Sequence, residues 1–252
     1  MTPVSDRALG EWNDATAPEL LDGAVHVWRI RLDRDATPND WAVLSPEEDT
    51  RARRFFAERH RRRFVVAHGT LRRILASYTG VAASALQFST GEFGKPSLVS
   101  TRTDTAPLEF NLSHSAELAL VAVSRGRIVG VDVECWDREV EHIDLAERFF
   151  SPAERDALRL LASSPDQVVS GFFAAWSRKE AYLKASGHGI TRGLHHFDVT
   201  LTPGEPARLL ADRIDQGAES RWTMTALLAD AAYSAALVAE APVHEILLFN
   251  AA

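Results

Sequence analysis

The chain has 252 residues, of which 46% are hydrophobic and 25% charged, with a formal net charge of −7. That length and balance suit one compact unit or two small ones with buried cores, and no apolar run reaches the roughly 18 residues of a membrane span. The single cysteine, Cys135, excludes an internal disulfide and a cysteine-based metal cage, and the negative balance argues against bulk nucleic-acid binding.

Met1 to Asn13 is acidic and polar and lacks the basic-then-apolar pattern of a secretory signal, so a reducing cytoplasm is the expected compartment. Residues 1–22 are expected to be peripheral. Val25 to Ile30 alternates like a strand. Ser45-Pro46 then starts a long helix, a hydroxyl cap followed by a ring that needs no backbone donor, running to about Tyr78 with a break. Arg51, Arg53, Arg54, Arg59, Arg61, Arg62 and Arg63 crowd this stretch. They form either a solvated face paired with Glu47, Glu48, Asp49 and Glu58 or a site for phosphate or an acidic protein surface. Strands are expected near Leu86–Ser89, Leu108–Leu112 and Leu118–Ser124, with Arg125-Gly126 turning into a strand at Ile128–Cys135.

The second half repeats this order. Helices are expected near Ile143–Phe149, Pro152–Ala162 and Val168–Ser186, and strands near Phe197–Leu201, Trp222–Leu228 and Tyr233–Ala239. Ser151-Pro152 echoes Ser45-Pro46, Gly204-Glu205-Pro206 echoes Gly94-Lys95-Pro96, and Ala236 to Ala239 echoes Ala119 to Ala122. The kept order points to an ancient duplication. The expected fold is α+β with two similar lobes, residues 23–125 and 126–241, a ligand cleft between them and a peripheral tail at 242–252.

Four stretches could carry chemistry. In Ile128 to Glu134, Val129, Val131 and Val133 point to a core while Gly130, Asp132 and Glu134 share the other face, with Gly130 keeping it open. That face is either simply wet or holds a hard cation such as Mg²⁺. In Phe172 to Lys184, spacing of four sets Trp176, Glu180 and Lys184 in one row of a helix apolar over much of its circumference. Glu180 and Lys184 form either a surface ion pair or a cleft-lining one with a chemical reason for its burial. Phe110-Asn111-Leu112-Ser113-His114-Ser115 brings polar groups to a strand end, as a structural turn or a phosphate contact; adjacent Ser and His do not make a hydrolase, and no nucleophile elbow is present. Gly91 to Pro96 is a plain loop or a close backbone approach to a ligand, with Lys95 as a point charge. Gly187-His188-Gly189 ends a helix, and Cys135 is a small buried residue.

In this order and at these intervals, Gly94-Lys95-Pro96, Phe110 to Ser115, Gly130 to Glu134 and Trp176 to Lys184 resemble the surfactin-synthetase type of 4′-phosphopantetheinyl transferase. The resemblance also takes in Ser45-Pro46 and Arg53-Arg54-Phe55-Phe56 and covers roughly residues 24 to 240. It implies a pseudo-twofold fold with coenzyme A in the cleft. It implies Asp132, Glu134 and Glu180 as ligands of Mg²⁺, or of Mn²⁺, shared with the coenzyme's pyrophosphate. It further implies Lys95, Ser113 and His114 as coenzyme contacts, His114 on the 3′-phosphate, with Gly94 and Pro96 shaping the adenine pocket and Arg51 and Arg63 near the adenosine phosphate. Glu48 departs from the family's pattern, whose best-known members carry lysine there.

The expected partner is an acyl or peptidyl carrier protein, received by the segment Asp137 to Phe150, and the expected state a monomer, with no nucleic acid and no membrane. The implied reaction transfers phosphopantetheine to a carrier serine, with Glu180 as base, Asp132 in the catalytic set and Lys184 on the departing nucleotide. The alternative is a non-catalytic coenzyme A or nucleotide-binding module of the same fold, which the intact set Asp132, Glu134, Glu180 and Lys184 disfavours.

Overall fold

Ser45 and Ser151 start helices as their sequence context predicts, and the elements that follow each come in the same order apart from one short helix added in the second half. The computed structural model describes residues 8–251 apart from 15, 92–93, 100–105, 137–140, 188 and 190–191. The first half runs β1 (Trp12–Asn13), β2 (Ala24–Arg31), α1 (Pro38–Ala42), α2 (Pro46–Arg53), α3 (Glu58–Thr79), β3 (Phe88–Thr90), β4 (Pro96–Leu98), β5 (Leu108–Ser115) and β6 (Leu118–Arg125). The second runs β7 (Val129–Cys135), α4 (His142–Phe149), α5 (Pro152–Leu160), α6 (Pro165–Ser186), β8 (Phe197–Val199), β9 (Leu209–Asp212), α7 (Ala218–Arg221), β10 (Trp222–Leu227) and β11 (Tyr233–Glu240), and β12 (Glu245–Asn250) closes the chain. The fold is α+β and two-lobed.

The duplication extends to side chains. Ser45 and Ser151 accept from the N–H of Glu48 and Glu154, whose carboxylates reach back to the serine N–H. Each of those carboxylates also meets a cation on the following 22-residue helix: Glu48 Oε2 lies 2.5 Å from Arg72 Nε, and Glu154 Oε1 lies 2.8 Å from Lys179 Nζ. Arg72 donates onward to the carbonyls of Ala83 and Leu86, Lys179 to those of Leu194 and Phe197. Both cations are buried, so each needs this full set of acceptors. Burial opposes ionisation of Glu48, yet His68, the Ser45 N–H and Arg72 together hold its pKa down to about 2. An acid at position 48 therefore serves the fold. Both long helices end on a left-handed glycine, Gly80 and Gly187.

Strand order is β1-β12-β2-β6-β5 in one sheet and β10-β11-β7 in another. Alternation along β6 divides the core. Ala119, Val121 and Val123 face Val66, Leu71 and Leu75 of α3. Leu118, Leu120 and Ala122 turn the other way, onto Val129, Val131 and Val133 of β7. The far face of the second sheet, with Ala236 and Val238, packs on Phe172, Tyr182 and Leu183 of α6. The long helices thus cover the outer faces while the sheets share a central core.

Two expectations change. The stretch after Pro242 is no peripheral tail: β12 pairs in parallel with β1 and β2, burying Leu248 and Phe249. Residues 8–22 are likewise engaged, for Leu9 exchanges backbone hydrogen bonds with Ala226 and Leu228 and Leu20 is buried. The break expected in the helical stretch from Pro46 to Tyr78 falls at residues 54–57, between α2 and α3. Met1 to Arg7, Glu92, Phe93, Asp137 to Val140 and His188 lie outside the described residues.

Candidate active site

The two sheets meet where β5 lies beside β7, and alternate residues of β5 reach across. Asn111 Oδ1 accepts from Val131 N–H at 2.9 Å, and Ser115 Oγ accepts from Cys135 N–H at 3.1 Å. Ser113 Oγ donates to Asp132 Oδ1 at 2.9 Å, and Ser115 Oγ to Glu134 Oε2 at 3.0 Å. The face of β7 that carries Gly130, Asp132 and Glu134 looks toward α6. An added Cβ on Gly130 would stand 2.2 Å from Ala181 O and 2.4 Å from Ala185 N. Gly130 therefore does not keep this face open, as its small size suggested; it lets the helix backbone rest on the strand.

That close approach sets Glu180 and Lys184 beside Asp132. Lys184 Nζ donates to Asp132 Oδ1 at 2.6 Å and to Ser113 Oγ at 2.9 Å. Lys184 thus pairs within the second lobe with Asp132, and not with Glu180 one turn away, because the strand carboxylate is buried and lies directly opposite; Ser113 joins them from the first lobe. Burial pushes the pKa of Asp132 up, against the pull of Lys184 and Ser113. Its second oxygen, Oδ2, is buried without a hydrogen-bond partner. Burial, then the charge of Asp132, raises Glu180 to about 7; Lys184 opposes this and Glu134 adds to it.

A cavity of about 550 Å³ opens here, lined by Gly94, Lys95, Pro96, Asn111, Glu180 and Lys184 among others. Lys95 Nζ donates to the Val129 carbonyl at 3.0 Å, and burial lowers its pKa against the pull of Glu109. Gly94, at φ 81°, has open space where a Cβ would stand. His114 projects from β5; crowding by protein lowers its pKa, as do the nearby charges of His68, Lys184 and Arg63. The cavity wall thus carries the cations Lys95 and Lys184 and the carboxylate of Glu180.

The arginine cluster is largely paired. Arg53 binds Asp49, Arg61 binds Glu58, and Arg62 and Arg63 bind Glu117, Arg63 at 2.6 Å. Arg51 is exposed, with its guanidinium 5.1 Å from the Phe64 ring centre. The structure therefore brings together Ser113, Asp132 and Lys184 by direct bonds, and Gly94, Lys95, Pro96, Glu180 and Lys184 around one cavity. Arg51 and Arg63 stand outside that set. Sequence reasoning gave Asn111 and Ser115 no role beyond membership of the polar stretch Phe110 to Ser115, and gave Glu117 and His68 none in the site. Alternation of Asn111, Ser113 and Ser115 on one strand face was the available signal for the first two.

Among the described residues, no three His, Cys, Asp or Glu side chains are gathered into a ready metal cage. The chemistry of Asp132, Glu134 and Glu180 nevertheless fits a hard cation. Their oxygens are of the preferred type, Asp132 and Glu134 raise the proton affinity of Glu180, and Asp132 Oδ2 is an orphaned buried acceptor. Sites for Mg²⁺ take one or two carboxylates and complete their shell from a phosphate substrate.

Comparison with known proteins shows the family. The family described as the 4′-phosphopantetheinyl transferase superfamily matches residues 128–238, and the family described as 4′-phosphopantetheinyl transferase, N-terminal, matches residues 35–126. The 4′-phosphopantetheinyl transferase HetI of Nostoc is 44% identical over 192 residues, covering 75% of this chain and 79% of that protein. A putative 4′-phosphopantetheinyl transferase of Synechocystis is 33% identical, covering 81% and 80%. The transferase Sfp of Bacillus subtilis is 28% identical, covering 69% and 76%. The chain belongs to the 4′-phosphopantetheinyl transferase superfamily and is an enzyme of that class.

Proposed function

We propose that this enzyme, of the surfactin-synthetase type, moves the phosphopantetheine arm of coenzyme A onto a serine of an acyl or peptidyl carrier protein, releasing 3′,5′-adenosine bisphosphate. This would activate a fatty-acid, polyketide or nonribosomal-peptide synthase from its apo to its holo form. The observation that carries the reading is the cross-lobe cluster of Ser113, Asp132 and Lys184, set with Glu180 beside a cavity of about 550 Å³.

Asp132, Glu134 and Glu180 would hold the divalent ion, magnesium or manganese, and that ion would neutralise charge on the diphosphate. Glu180 would take the proton of the carrier serine as its oxygen bonds to phosphorus. The phosphorus–oxygen bond to the nucleotide breaks, and Lys184 steadies the negative charge that leaves with it. Lys95 supplies positive charge to the nucleotide's phosphates and His114 a ring N–H donor, while Gly94 and Pro96 let the base approach the backbone. Half-exposed Ile143 and Phe149 on α4 offer apolar contact to the carrier. An internally repeated cleft supplies both walls from one chain, which supports a monomer.

The test is intact mass spectrometry of several apo carrier proteins after incubation with coenzyme A and Mg²⁺, with a chelator as control. The expected result is a metal-dependent gain of one phosphopantetheine mass on a serine. No gain on any fatty-acid, polyketide or nonribosomal-peptide carrier would overturn the reading.

A further inference from the structure

β5 and β7 run side by side along the site, yet one sheet ends on β5 and the other on β7, so no backbone ladder joins them. Side chains hold them in register. The bonds from Asn111 to Val131 and from Ser115 to Cys135 both join residues 20 apart in sequence. Those from Ser113 to Asp132 and from Ser115 to Glu134 both join residues 19 apart. The strands are therefore parallel in a single register, stitched at both ends. A slip of one residue would turn Ser113 and Ser115 away from Asp132 and Glu134, which pairing with β11 keeps on the face toward Glu180. A ladder would set such a register for any side chains; stitches can be removed one at a time.

Ser115 touches both the backbone of β7 and a carboxylate. Because its oxygen already accepts from the Cys135 N–H, its own hydrogen is directed to Glu134. A hydroxyl fixed this way orients Glu134 and favours the ionised form that ligates metal. The residue is buried, so its bonds are shielded from competing water. We propose that Ser115, with Asn111 at the other end of the seam, is a positioning residue of this enzyme: it holds the Glu134 carboxylate in the orientation in which it joins Asp132 and Glu180 around a divalent ion. The inference rests on the metal set of the proposed function.

The experiment compares the parent full-length enzyme with Ser115→Ala, Ser115→Thr and Asn111→Leu. Mn²⁺ binding is read from the electron paramagnetic resonance signal of the free ion, and the KM for Mn²⁺ and kcat from transfer to an apo carrier protein. Ser115→Ala is expected to weaken Mn²⁺ binding about tenfold and raise the KM for Mn²⁺ in step, with kcat at saturating Mn²⁺ within about twofold of the parent. Ser115→Thr keeps the hydroxyl and restores the parent values. Asn111→Leu removes a stitch but no carboxylate contact, so the register argument expects a smaller loss of Mn²⁺ affinity there, readable even if Ser115→Ala does not fold. Parent-like Mn²⁺ affinity in both Ser115→Ala and Asn111→Leu, or a lower melting temperature without weaker Mn²⁺ binding, overturns the positioning role alone. A parent enzyme that itself binds no Mn²⁺ overturns the metal assignment beneath it.

Discussion

Replacing Gly130 by alanine tests how the site is assembled. Strand propensity favours alanine over glycine by about 0.5–1 kcal/mol, so a reading confined to β7 expects stabilisation. Tertiary structure reverses the sign. The new Cβ would stand 2.2 Å from Ala181 O and 2.4 Å from Ala185 N, and both are helix backbone that no rotamer change can withdraw. Ordinary contact needs about 3.5 Å, so α6 must retreat from β7 by about 1 Å. Overpacking of this kind costs about 1–3 kcal/mol, which for a chain of this size lowers the melting temperature by about 2–12 °C. The retreat also carries Lys184 and Glu180 away from Asp132, and a misplacement of about 1 Å costs turnover about 100-fold. Thermal unfolding and carrier modification by Gly130→Ala measure the two effects. A variant that melts at or above the parent's temperature with parent turnover would refute the claim that helix-on-strand contact at Gly130 builds the site.

Four further outcomes are expected. Glu180→Gln should lose turnover by about 100-fold or more while coenzyme A still binds, checked by single-turnover kinetics and calorimetry; near-parent transfer would remove Glu180 from the base role. Dephospho-coenzyme A should show a raised KM, and His114→Ala should raise the KM for coenzyme A but not for the dephospho form; equal KM values for the two coenzymes in the parent would disprove the 3′-phosphate contact. Burial lowers the pKa of His26, which bonds Tyr78 OH through Nδ1, to about 4. Between pH 6.5 and 4 the unfolded chain binds the extra proton and the native state does not, so stability is full above pH 6.5 and falls on acidification, by about 2–3 kcal/mol; urea unfolding should show this slope and His26→Asn should flatten it. Finally, Glu48→Lys leaves buried Arg72 facing a like charge and should cost about 3–5 kcal/mol in urea unfolding, whereas a merely local surface change would cost less than about 0.5.

Position 48 shows where sequence and structure part company. Against the family's pattern its glutamate looks like a missing coenzyme contact, but it closes a capping box and neutralises a buried arginine, as Glu154 does for Lys179 in the other lobe. Arg63 shows the reverse case: its charge was legible, but its pairing with Glu117 joins a helix residue to the β5–β6 turn, and no spacing in the chain announces it.

The linear chain determined what local physics can write. Ser-Pro steps start α2 and α5, alternation sorts Val129, Val131 and Val133 from Asp132 and Glu134, spacing of four aligns Glu180 with Lys184, and glycines end the long helices. Only the tertiary structure decided which elements meet. It made the last strand an inner member of the first sheet, turned Lys184 from Glu180 to Asp132, and gave Asn111 and Ser115 the task of joining two sheets. The reason is one of range. Caps, turns and periodicity act within a few residues of their cause, whereas pairing, burial and charge partnership depend on groups far apart in the chain that folding alone brings within a few ångströms.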